Sequence, residues 1–149
     1  MNKLLLIQAL LLLAIPVNAQ KTAERENVIN FLKKFDNSIA KKDSIALKQA
    51  LTEDFIGSIP NGQSFDRKSF ISYHCSPTGR VREIKEEGTA KWNIKFVKEC
   101  AIVNRNVTYL TKTAGGNKPV EIKVKKLEVC IKLKNKWMIA SLQGTEVLK

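Results

Sequence analysis

The chain has 149 residues and a mass of 16.8 kDa, enough for one domain of ~100–200 residues and too little for two large ones. Its 44% hydrophobic and 27% charged residues are ordinary globular usage, which excludes a disordered, collagen-like or disulfide-dense chain. Lys and Arg outnumber Asp and Glu 26 to 14, giving a basic protein of net charge +12 and pI near 9.8.

Residues 1–19 read as a secretory signal peptide that is cleaved. Lys3 supplies a positive start, Leu4 to Ile15 is apolar save for Gln8, and Pro16 ends the run. Val17-Asn18-Ala19 is then a small-residue cleavage pattern before Gln20. The run is shorter than the ~20 residues that span a bilayer. The expectation is an exported protein, periplasmic or secreted, with residues 20–149 as its single domain and no transmembrane segment after cleavage. Export puts Cys75, Cys100 and Cys130 where disulfides can persist. Three is odd, so one bridge with one free thiol, or no bridge, are both open.

The mature chain opens on helices. Val28, Phe31, Leu32, Phe35 and Ile39 recur at steps of three and four, one face of a helix from Thr22 to about Ala40. Asp43 can cap a second helix with Ile45, Leu47, Ala50 and Leu51 turned inward. Phe55 to Ile59 reads as a short strand, and Pro60-Asn61-Gly62 as a turn. Asp66 can cap a third helix through His74, closed by Pro77 and Gly79.

The period then changes to two. Ala90, Trp92, Ile94 and Phe96 alternate with polar residues as a half-buried strand. A long strand follows from Ala101 to Thr113, with Val103, Val107 and Tyr109 on one side, then a turn at Ala114-Gly115-Gly116-Asn117. The next strand carries Val120, Ile122 and Val124 on even positions, then Leu127, Val129, Ile131 and Leu133 on odd ones. That slip at Lys125-Lys126 predicts a β-bulge, with Glu121 and Glu128 among the lysines facing outward. Trp137 to Leu142 forms the last strand. A hairpin at Gly115-Gly116 would bring Cys100 near Cys130 on adjacent strands, a possible disulfide. Helices first and a meander afterwards predict an α+β fold, with three N-terminal helices packed on a curved antiparallel sheet.

Asp43 before the second helix, Asp54-Phe55 entering the first strand, the Asn61-Gly62 turn and Lys136-Trp137 leading the last strand follow one another in a telling order. In these the chain, from Val28 to Val147, resembles the nuclear transport factor 2-like superfamily, in its SnoaL-like branch of exported domains of unknown function. The resemblance implies a cone: a sheet wrapped on helices with a cavity at the wide end. It also implies a range of functions, from isomerases and dehydratases to non-catalytic binding domains, among which fold does not choose. The isomerases set a Tyr hydroxyl and a protonated carboxyl against a carboxylate base. Phe31 and Phe35 occupy the helix face where such donors would be useful, so that set does not carry over.

The expected ligand pocket comprises Phe31, Phe35, Phe55, Trp92 and Phe96, with Tyr73 and His74 towards the open end. Asp54, Tyr73 and His74 are the candidates for catalysis. Each has a plainer reading beside it: Asp54 orders a turn through side-chain hydrogen bonds, and Tyr73 and His74 form a helix end. No cofactor fingerprint or P-loop is present, and His74 beside Cys75 lacks the spacing of a metal site. Between Lys118 and Lys136 seven lysines stand against two glutamates. They predict a solvated basic face, open to weak anionic contact but without the aromatics of single-strand nucleic-acid binding. Lys91, Lys95, Lys123, Lys132 and Lys134 on that face would disfavour sheet-on-sheet dimers. The expectation is binding of a small apolar ligand or partner without turnover. The alternative is a small isomerase or dehydratase using the same cavity.

Overall fold

A computed structural model describes residues 17–77, 79–112 and 119–147. The expected leader lies mostly outside them, and so does the turn at Ala114-Gly115-Gly116-Asn117. Helix α1 spans Val17–Lys41 and α2 Ser44–Ala50. Strand β1 spans Leu51–Ser58, β2 Ser64–Asp66, and helix α3 Arg67–Cys75. Strands β3 (Val81–Glu86), β4 (Asn93–Val97), β5 (Cys100–Lys112), β6 (Pro119–Leu133) and β7 (Lys136–Glu146) complete the chain.

Both predicted caps form. Asp43 accepts from the Ala46 N–H at 2.9 Å. Asp66 makes a capping box, accepting from the Ser69 N–H at 2.7 Å while the Ser69 hydroxyl accepts from the Asp66 N–H. Each satisfies donors that the first helical turn leaves without partners. Ile45, expected inside, is 71% exposed; a seven-residue helix buries one residue well, and Leu47 takes that place.

The sheet runs β2-β1-β7-β6-β5-β3, with β4 also on β5. It is mixed rather than wholly antiparallel, because β1 lies parallel to β7. Strand β3, which the sequence did not signal, pairs with β5. Val28, Leu32, Phe35 and Ile39 of α1 pack with Leu47, Phe55, Phe70, Val103 and Ile139 in one core. Each such side chain, fully buried, contributes about 1.5–3 kcal/mol.

The predicted bulge in β6 is absent. From Cys100↔Ile131 to Lys112↔Pro119 the β5–β6 register is unbroken; the irregularity lies between β6 and β7, at Val129/Cys130. Strand β6 therefore keeps its even phase, and Val124, Lys126, Glu128 and Cys130 all point inward. Glu128 is buried, not outward-facing. Cys100 stands opposite Ile131, and Cys130 opposite Ala101. One residue of offset puts the two thiols on opposite sheet faces, and no bond joins them.

The outer face is correspondingly apolar at its centre. Ile102 and Leu127 are exposed there, with Val129, Ile131 and Met138 half-buried around them. Lys132 turns inward, its Nζ 2.6 Å from Glu24, so the lysine argument against face-to-face pairing loses its central member. A two-fold contact uses one patch twice, and an apolar patch is self-complementary. Light scattering is expected to show a dimer that persists at low salt and that Leu127→Lys returns to monomer. A wild-type monomer at low salt would restore the repulsion argument.

Candidate functional site

A cavity of about 330 Å³ opens between the end of α1, helix α3, the 58–61 loop and the strands β3, β5, β6 and β7. Its floor is Ile39, Phe70 and Leu142, each at most 4% exposed. Its rim carries Asn61, Arg80, Lys112 and Glu146, all solvent-exposed. Pro60 closes one wall, which works because Gly144 opposite has no side chain: a Cβ there would stand 3.2 Å from the Pro60 Cδ.

Tyr73 and His74 both line this cavity. The His74 ring sits 4.4 Å from Phe70 and 5.1 Å from Tyr73, and the residue is 8% exposed. Burial, aided by the nearby Lys126 charge, pushes its pKa from 6.5 down to about 4. It is therefore a neutral imidazole at neutral pH, with one donor and one acceptor for a guest. Tyr109, from the inner face of β5, also borders the cavity. Its ring meets the void but is otherwise surrounded by protein, so burial raises its hydroxyl pKa and the phenol stays protonated.

The other expected pocket residues lie elsewhere. Phe35, Phe55 and Trp92 are closed into the core, at 1%, 1% and 3% exposure. Phe31 and Phe96 are partly buried against that core. Aromatic residues at helical and strand period pack, as here, before they line anything. Asp54 is exposed on β1 and does not border the cavity. Among the described residues no three His, Cys, Asp or Glu side chains gather as a metal site requires.

Beside the cavity lies a group that the sequence reading missed. Arg105 of β5 donates from Nε and Nη2 to Glu128, at 2.7 and 2.8 Å, and from Nη1 to Asp36 at 2.5 Å. Lys126 Nζ is 2.8 Å from both Asp36 and Glu128. Arg105 stacks 4.4 Å over Trp92. All four side chains are buried, two positive and two negative. Burial disfavours the Glu128 charge, but Lys126 and Arg105 outweigh it and hold its carboxyl at about 2. Burial and Arg105 both oppose the Lys126 charge, yet Asp36 and Glu128 prevail and its pKa rises. The four buried charges of this tetrad pair with one another, and Glu86 stands 3.7 Å from Arg105 at the edge of the group.

No family model and no curated protein matches this sequence. Solved structures do. A nuclear transport factor 2-like protein from Cytophaga hutchinsonii superposes with a TM-score of 0.72 at 17% identity, over 83% of this chain and 98% of that one. A Salmonella enterica protein of the same superfamily gives 0.75 at 12% identity, over 87% and 94%.

The chain has the nuclear transport factor 2-like fold.

A third nuclear transport factor 2-like neighbour, from Streptomyces avermitilis and provisionally named a dehydratase, gives 0.73 at 16% identity, over 87% and 99%. At these identities the likeness is one of fold. Within this nuclear transport factor 2-like cone, the cavity combines an apolar floor with the hydrogen-bonding rings of Tyr73, His74 and Tyr109. Its carboxylate, Glu146, stands on the exposed rim.

Proposed function

We propose that this is an exported, non-catalytic binding protein, of the SnoaL-like kind, that holds a small and mostly apolar molecule in its cavity. One observation carries the reading: a 330 Å³ cavity whose buried floor is apolar and whose carboxylate, Glu146, stands on the exposed rim. Ligand pockets are usually built this way, at ~300–1,000 Å³. The leader-like residues 1–19 support periplasmic or secreted placement. The enzyme reading keeps two supports, the provisional dehydratase name of one neighbour and the presence of His74 and Tyr109 on one cavity.

Native mass spectrometry of protein purified from its own host tests the first reading, with a retained small molecule as the expected result. A screen of isomerase and dehydratase substrates tests the second. His74→Ala is expected to change ligand affinity by no more than the worth of one hydrogen bond, about 0.5–1.5 kcal/mol. Turnover that disappears in His74→Ala or Tyr109→Phe would replace binding with catalysis.

A further inference from the structure

We infer that the ligand is an amphipathic anion, with its apolar body on the cavity floor and its negative head at the rim between Arg80 and Lys112. The inference rests on the cavity being a binding site and adds the charge and the orientation of its guest.

Arg80 and Lys112 reach the rim from neighbouring backbone. The Lys112 N–H donates to the Arg80 carbonyl at 3.0 Å, which sets the two residues side by side at one edge of the mouth. Both border the cavity, and neither makes an ion pair among the described residues. They differ in this from Arg105, Lys126 and Lys132, whose charges are spent on carboxylates. Glu146, also on the rim, offsets one of the two, so the mouth keeps a net positive charge. The protein's overall charge of +12 adds a field of the same sign, which draws anions inward.

The floor sets the direction. Ile39, Phe70 and Leu142 offer a deep carboxylate no hydrogen bonds, His74 and Tyr109 offer neutral donors without a counter-charge, and a buried charge without one is expensive. The cations nearest the floor are already held by Asp36 and Glu128. Only at the rim does a negative group keep some water and gain two positive partners. The size fits a short chain: 330 Å³ is roughly ten times a water molecule's share of liquid volume. Fatty acids of medium length and small aromatic or terpenoid acids share this chemistry.

Three eight-carbon probes test it by calorimetry at low salt: octanoate, octan-1-ol and octylamine. Octanoate is expected to bind about tenfold more tightly than octylamine, the size that two exposed charge contacts give together. The double variant R80Q/K112Q, altered only at exposed positions, should lose that preference and leave octan-1-ol affinity unchanged. Added salt should weaken octanoate alone. Equal binding of all three probes would overturn the anionic head and leave the cavity reading standing. A preference for octanoate that survives in R80Q/K112Q would overturn the assignment to these two residues. Failure of all three to bind would overturn the cavity reading, and this inference with it.

Discussion

Arg105→Met is expected to cost about 3–5 kcal/mol of folding stability, the usual penalty for stripping one partner from a buried ion pair. Arg105 satisfies both oxygens of Glu128 and one of Asp36. Without it Asp36 and Glu128 face Lys126 alone, and Glu86, 3.7 Å from the guanidinium, loses its partner as well. Lys126→Met should cost a similar amount by the same reasoning. The paired change Asp36→Leu with Lys126→Met leaves the Arg105–Glu128 bidentate pair intact and neutral. Its cost should fall well below the sum of the two single changes, because each single change strands what the other removes. Urea unfolding with unchanged m-values would measure all four. Additive losses, or an Arg105→Met cost under about 1 kcal/mol, would mean that the tetrad is more hydrated than its burial implies.

Stability is also expected to fall as pH drops from about 6.5 to about 4, and His74 is the reason. In the unfolded chain the imidazole takes up a proton near 6.5, while in the folded cavity it resists until about 4. Between those values the unfolded state binds more protons, so acid favours unfolding. The shift corresponds to about 3 kcal/mol at full effect. His74→Phe keeps an aromatic ring beside Phe70 and should flatten the profile across this window. Glu128 acts lower down: its carboxyl, held at about 2 against an ordinary 4.5, gives stability that is lost as pH falls through that interval. Unfolding at pH 7, 5.5 and 4.5 separates the two groups. A slope between pH 6.5 and 5 that persists in His74→Phe would assign it elsewhere.

Local chemistry was legible in the sequence wherever it decides structure by itself. Asp43 and Asp66 announced their helices because a cap needs only its own next three residues. The α1 stripe and the inner face of β5 followed from periodicity, and Tyr73 and His74 were found at the cavity because a helix end has few places to go. Strand β3 leaves a weak mark because four of the six residues Val81-Arg82-Glu83-Ile84-Lys85-Glu86 are charged and the strand slips register between Val81 and Glu83, which breaks the alternation. The parallel pairing of β1 with β7 leaves no local mark at all. The cavity walls come from two helices, four strands and a loop, so their meeting depends on long-range packing. The tetrad did have a signal. Asp36 sits between Leu32 and Ile39 on the buried stripe, and Lys126 and Glu128 continue the even phase of Ile122 and Val124. At Leu127 hydrophobicity and strand alternation point to opposite faces, and alternation decides.

That choice shows what else the tetrad does. Strand β6 between Leu127 and Leu133 is more greasy on its outer side than on its inner one. A slip of one residue against β5 would turn Leu127, Val129 and Ile131 towards the helices, and oil-and-water considerations alone would welcome it. Such a slip would also eject Lys126 and Glu128 and leave Arg105 and Asp36 facing each other among hydrocarbons, short of two partners. The ionic group thus acts as a frame check on an ambiguous strand: it contributes little to cohesion that well-packed apolar residues could not match, but it makes the shifted alignment untenable.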